Sequence, residues 1–303
     1  MVSEKPEFLI AGAAKAGTTS LYHYLNQHPE IFMSPVKEPD YFGGHFWSLP
    51  LNDIYGPDPK LQIYQDWDEY LSLFREGKGK LKGEASPSSF YYFAEAIPEI
   101  KRRLDNPKII IILRNPVDRA YSHYTFKKRD VKENLTFSDA LDAEEKRMQE
   151  NYHYGYFYKA LGFYHRPVEA FLAEFSDVHI VLLDELQANP EHVIKGIFQF
   201  LDVKDDFEPS LDVVYNVSGN PRMKGLNKFL RKKNPFRDLI RPVLDVVLSE
   251  KSKTKLMEKI HQMNTAPKEP LENSTRQKLL DLYRSDIGRL QDLINRDLSQ
   301  WMH

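Results

Sequence analysis

The amino-acid sequence predicts an α/β fold, a P-loop-like, doubly wound arrangement with a central parallel β-sheet flanked by helices. Three observations carry that expectation. Two apolar runs, Lys108–Leu113 (KIIIIL) and Val178–Leu183 (VHIVLL), have the unbroken β-branched character of strands buried on both faces. Each follows a helical segment, one ending near Leu104 and one at Pro167–Phe175 with Glu169 and Glu174 on its polar side. A further strand, Phe8–Ala11, ends in Gly12 and leads through a loop of small residues into a helix over Thr19–His28. Strands alternating with helices in this way form parallel sheets with right-handed crossovers.

The remaining segments are read in chain order. Phe42–Gln65, rich in Gly, Pro, Asn and aromatics, is a long irregular excursion of the kind that often serves as a lid or functional loop. Asn189-Pro190 opens a helix over Ala188–Leu201 with apolar Val193, Ile197, Phe200 and Leu201. After Asn216 the chain turns basic, through Arg222–Arg241, before a last helix over Thr275–Asp292. No repeat, low-complexity tract or Gly/Ser linker marks a boundary, so residues 1–303 are read as one domain.

Composition narrows the function classes. A hydrophobic fraction of 41% and a charged fraction of 28% are those of a chain that folds. A net charge of −2 gives no overall attraction to nucleic acid or to an anionic membrane, so any anion site must be local. The absence of cysteine removes disulfides, thiol nucleophiles and thiolate metal sites. The N-terminus MVSEKPEFLIAGAAK has no signal-peptide core, and no run approaches the roughly 18 apolar residues of a membrane span; a cytoplasmic location is expected.

Chemistry enters at the loop after the first strand, GAAKAGTTSL (Gly12–Leu21). A glycine-rich turn between strand and helix aims backbone N–H groups and a helix dipole at one anionic group. Nucleotide triphosphatases place a lysine directly after the second glycine; here Thr18 follows Gly17, and Lys15 lies inside the loop. A lysine inside the loop, two residues before the second glycine, can lie beside a leaving-group oxygen. The next apolar strand ends in Arg114 instead of an aspartate suited to Mg²⁺, so no metal is expected. Taken alone, the loop also reads as a tight turn with a solvated lysine.

The second motif is LRNPVDRAYSHY (Leu113–Tyr124), at the carboxyl end of a strand, where ligands bind in open α/β sheets. Arg114 offers a fork to a phosphate, and Ser122 on the following helix adds a hydroxyl donor. Arg119 reads as an internal partner of a carboxylate, and Asp118 and Tyr121 as structural. His23, His28, His123 and His165 show no metal-ligand spacing and read as core or surface. The aromatic cluster Tyr152, Tyr154, Tyr156, Phe157, Tyr158 reads equally as an acceptor pocket or as core.

With both loops in hand, the sequence resembles the PAPS-dependent sulfotransferases, the users of 3′-phosphoadenosine-5′-phosphosulfate, and in particular their heparan-sulfate-type and bacterial branch. GAAKAGTTSLYHYLNQHP looks like the 5′-phosphosulfate loop and IIIILRNPVDRAYSHY like the 3′-phosphate site; KEPDYF, GEASPSSF, GFYHRPVEAFLAEF and YRSDIGRLQDLINRDLSQW extend the likeness along nearly the whole chain. The resemblance implies that Lys15 steadies the bridging oxygen of the departing nucleotide while Ala16, Gly17, Thr18, Thr19 and Ser20 cradle the 5′-phosphate. It implies that Arg114 and Ser122 grip the 3′-phosphate and that Glu38, in KEPDYF, is the general base on a hydroxyl acceptor. It also turns Arg222, with Lys224 and Gly225, into a flap over the nucleotide, against the plainer reading of that stretch as a solvated basic face.

Ala85 and Ser86 follow Glu84 where many heparan-type members carry a lysine, which argues against a sulfated-polysaccharide acceptor. Glu84 itself reads either as a second acceptor-site carboxylate or as a buried partner of a loop. Carbohydrate, lipid, natural-product intermediate or carrier-bound acyl chain all present a hydroxyl. Two other classes stay open on the residues alone: an ATP–Mg²⁺ kinase with a variant phosphate loop, and a nucleotide-binding module without catalysis.

Overall fold

Five parallel strands form the centre of the molecule: β1 (Phe8–Gly12), β2 (Ile31–Met33), β3 (Leu81–Ala85), β4 (Lys108–Leu113) and β5 (Val178–Leu182), in the order β2-β3-β1-β4-β5. They come from a computed structural model that describes residues 5–57, 63–211, 220–221, 265–266 and 270–303. Helices α1 (Thr18–Leu25), α2 (Phe93–Leu104), α3 (Pro116–Arg129), α4 (His165–Glu174), α5 (Pro190–Phe200) and α6 (Asn273–Ile294) flank the sheet. The doubly wound α/β expectation is met. The branched run Ile109–Ile112 is wholly buried, as a central parallel strand requires.

Two strands escape a sequence reading, for different reasons. β2 is only three residues long. β3 reads LKGEA, yet Lys82 and Glu84 are only 2% and 1% exposed. Gly83 between them lets the β1 ring of Phe8 lie across the strand: a Cβ there would stand 2.1 Å from the ring. Helix α1 stops three residues before His28, which turns inward and lies 2.9 Å through Nε2 from the carbonyl of Lys204.

Caps match the sequence signals. Asn115 accepts the N–H of Val117 at 3.0 Å with Pro116 in the first turn of α3, and Asn189 accepts the N–H of His192 ahead of α5. Among its described residues the excursion over 42–65 holds only the end of a short helix, Tyr41–Gly44, and a two-residue ladder pairing Asn52–Asp53 with Gly56–Pro57. Trp47 and Leu51 from this excursion join Tyr154, Tyr156, Phe157 and Leu161 in a second, smaller apolar cluster.

Glu84 is held by the Ser86 hydroxyl, which donates to it at 2.6 Å, and burial pushes its carboxyl up to about 8. The folded protein therefore keeps a proton that the unfolded chain releases near its ordinary value of about 4.3. Its contribution to stability is full below that value and is lost as pH rises through about 8. Glu84→Gln should thus match wild type near pH 4, pull ahead progressively as pH rises and hold its full advantage above about pH 8, read as the denaturant midpoint across the range.

Candidate active site

The first wall of the site is the turn between β1 and α1. β1 pairs with β4 in register up to Ile10 opposite Ile110, then slips so that Gly12 faces Ile111. Ala13 N–H donates to the carbonyl of Ile112 at 2.7 Å and Ala16 N–H to that of Ala13 at 3.1 Å, closing a tight loop. Lys15 takes φ 66° and Gly17 φ 109°. A side chain at Gly17 would also meet Leu183 Cδ1 at 2.9 Å, so both its conformation and its surroundings demand glycine. No side chain caps α1, which leaves its first N–H groups and its dipole for an anion.

The second wall follows β4. The exits of β1 and β4 diverge, one toward β2 and the other toward β5, and adjacent strands with diverging exits open a crevice at their carboxyl ends. Arg114 stands at that edge. Its guanidinium reaches the carbonyl of Lys15 at 3.4 Å, while its own carbonyl accepts from Tyr164. Ser122 lies on the buried face of α3.

Between the walls is a cavity of about 640 Å³. Lys15, Gly17, Thr18, Thr19, Ser20, Glu38, Arg114 and Ser122 all line it. Ala16 is fully buried away from it. Arg222 and the basic stretch 222–241 lie outside the described residues.

Glu38 arrives from the strand opposite. Its N–H donates to the carbonyl of Ala85 at the end of β3, it takes φ 57°, and Lys37 beside it forms an ion pair with its carboxylate. Left-handed conformations at Lys15, Glu38 and Asp40 each cost about 1–3 kcal/mol, an expense typical of functional sites. Asp40 points inward and accepts from Ser88 at 2.5 Å; burial, reinforced by the nearby Glu38 charge, pushes it up to about 7. The Lys15 ammonium lies 3.6 Å over the ring of Phe126. Burial, then the like charge of Arg129, push it down to about 7, against the opposing pull of Glu38.

One expected partner changes. Arg119, at 0% exposure, donates to the carbonyl of Tyr158 instead of to a carboxylate. Asp118 pairs with Arg276 of α6 at 2.7 Å, and Tyr121 packs on Phe137. Glu84 does not line the cavity. Of the aromatic cluster Tyr154 does, whereas Tyr158 sits in the main core. His123 is buried as expected, yet its ring also lines the cavity. Phe126, Lys127 and His153 are lining residues with no motif to announce them, although Phe126 falls one helical turn after Ser122, a spacing that shares a face.

A family model described as "Sulfotransferase domain" matches residues 5–279. The solved structure of a sulfotransferase from Alicyclobacillus acidocaldarius superposes with a TM-score of 0.74 at 29% identity, covering 99% of both chains. The bifunctional heparan sulfate N-deacetylase/N-sulfotransferase 1 of Mus musculus is 28% identical over 260 residues, 77% of this chain and 27% of that protein. A membrane-associated sulfotransferase of Dictyostelium discoideum is 35% identical over 131 residues, 43% of this chain and 24% of its own. The chain thus spans about a quarter of the length of these curated relatives. Among the described residues no helix is long and apolar enough to cross a membrane.

Removing the like charge at Arg129 should raise the Lys15 value from about 7 toward the ordinary lysine range. Arg129→Gln followed by NMR titration of ¹³C-methylated Lys15 checks this; an unmoved midpoint would assign the depression to burial alone.

Proposed function

The chain belongs to the sulfotransferase family, and from that premise we propose that it moves a sulfuryl group from 3′-phosphoadenosine-5′-phosphosulfate to a hydroxyl of its acceptor. The observation that carries this reading is the gathering of a helix N-terminus, Lys15, the Arg114–Ser122 pair and Glu38 around one cavity. A volume of about 640 Å³ lies within the ordinary range of ligand sites.

The N–H groups from Ala16 to Ser20 and the dipole of α1 hold the 5′-phosphate; Arg114 and Ser122 hold the 3′-phosphate, with Arg222 as a further nucleotide contact. Glu38, paired with Lys37, takes the hydroxyl proton as the acceptor oxygen attacks sulfur. The bond from sulfur to the 5′-phosphate oxygen breaks in line, and the Lys15 ammonium stabilises the charge left on that oxygen. With a value of about 7 in the free protein, Lys15 is only partly charged, and an anion beside it draws the proton on. No step is assigned to a metal ion. Residues 1–303 act as one sulfotransferase domain, and the acceptor is a carbohydrate, a lipid or a natural-product or carrier-bound acyl intermediate.

Glu38→Gln and Lys15→Ala should each lower kcat by about 10²- to 10⁴-fold, and Glu38→Gln should keep its affinity for 3′-phosphoadenosine-5′-phosphate. Arg114→Ala should weaken that affinity by about tenfold or more. Calorimetry and sulfate-release assays check these outcomes. Tighter binding of ATP–Mg²⁺ with chelator-sensitive phosphoryl transfer would replace the reading with a kinase, and undiminished turnover in Glu38→Gln would remove the base.

A further inference from the structure

One end of the cavity carries groups that this reaction does not use. Lys127 lies on α3 five residues beyond Ser122, about 7.5 Å further along the helix axis, and lines the same space. Its ammonium has neither a hydrogen-bond acceptor nor a carboxylate at ion-pair distance among the described residues. It sits 4.2 Å over the ring of Tyr156 and against the backbone of Gly155, where an added Cβ would stand 2.9 Å from Nζ. Burial, then the like charge of Lys132, push it down to about 8, against the weaker opposing pull of Asp130, Asp53 and Glu133, none of which is at ion-pair distance.

Two imidazoles line the cavity with it. The N–H of Gly155 donates to Nδ1 of His153 at 3.0 Å, and a neutral ring that accepts at Nδ1 carries its proton on Nε2. His123 Nδ1 stands 3.4 Å from a guanidinium nitrogen of Arg119, a group that only donates, so this ring is driven to the same tautomer. Burial, with neighbouring cations, holds both histidines well below their ordinary range and hence neutral. Neither Nε2 has a partner among the described residues. The ammonium and two Nε2–H groups are thus three donors on the lining of one cavity with no acceptor between them.

We propose that Lys127, His153 and His123 form a subsite for an anionic group, a carboxylate or sulfate, borne by the acceptor. The inference rests on the donor reading above, in which the anionic positions of the nucleotide are taken by the start of α1 and by Arg114 with Ser122. Such a subsite makes the enzyme selective for hydroxyl compounds that already carry a negative charge. A carboxylate answers the donor set well, since its two oxygens accept from an ammonium and an N–H at once. Trp47, whose ring meets that of His153 edge to face at 5.5 Å, holds the imidazole in place from behind.

The test compares para-hydroxyphenylacetate with para-hydroxyphenylethanol, which share a phenol and differ in one carboxylate, by calorimetry on protein saturated with 3′-phosphoadenosine-5′-phosphate. Wild type should bind the carboxylate about tenfold more tightly. Lys127→Met should bind the two alike, and Lys127→Arg should restore the preference. Equal binding by wild type, no binding of the carboxylate, or an undiminished preference in Lys127→Met would overturn the subsite. Unchanged affinity for 3′-phosphoadenosine-5′-phosphate in Lys127→Met shows that the nucleotide site is intact. If wild type fails to bind that nucleotide, the donor reading fails instead, and the carboxylate preference measured on the free protein still decides the subsite.

Discussion

Every feature of the site depends on the parallel pairing of Phe8–Gly12 with Lys108–Leu113. The register holds from Phe8 opposite Lys108 to Ile10 opposite Ile110 and slips at Gly12. That slip turns Ala13 onto the carbonyl of Ile112 and starts the loop that carries Lys15. Arg114 is the next residue after β4, so the two walls are set by one ladder and touch where its guanidinium reaches the carbonyl of Lys15. The diverging exits of the pair then make a crevice in place of a packed seam.

Charge is distributed with similar economy. Glu38 faces the cavity beside Lys37, whereas Asp40 and Glu84, behind it, are pushed toward their neutral forms by burial. Two serines spaced along the turn, Ser86 and Ser88, give those neutral carboxyls their hydrogen bonds. A second and third negative charge close to Glu38 would repel an anionic nucleotide. Burial of those two carboxyls thus limits the negative charge beside the cavity proposed to receive that nucleotide.

The sequence spoke clearly where local pattern and tertiary environment agree. KIIIIL and VHIVLL are strands by composition, Asn115-Pro116 and Asn189-Pro190 are helix starts by capping chemistry, and the GAAKAGTTSL loop joins a strand to a helix as its small residues predict. It was silent where only the tertiary fold confers the property. LKGEA carries two ionisable side chains that become buried only once Phe8 lies over Gly83. Arg119 looks like an ion-pair partner, but its neighbour is a backbone carbonyl from position 158, which no spacing rule brings near. His153 belongs to an irregular segment without periodicity, so its meeting with Lys127 is invisible before the chain folds.

The cap of α3 has a kinetic consequence. Asn115, which begins the helix carrying Ser122, also donates to the carbonyl of Trp301, 186 positions away, and the Trp301 indole in turn donates to Asp184. The central strand pair likewise joins segments 100 positions apart, Phe8 to Lys108. Contacts of such span close only after a large loss of chain entropy, and proteins built on them fold slowly. Individual helices can flicker into being early, but the arginine and serine wall is braced only when the segment around Trp301 has docked. The cavity therefore takes its form only after segments far apart in sequence have met.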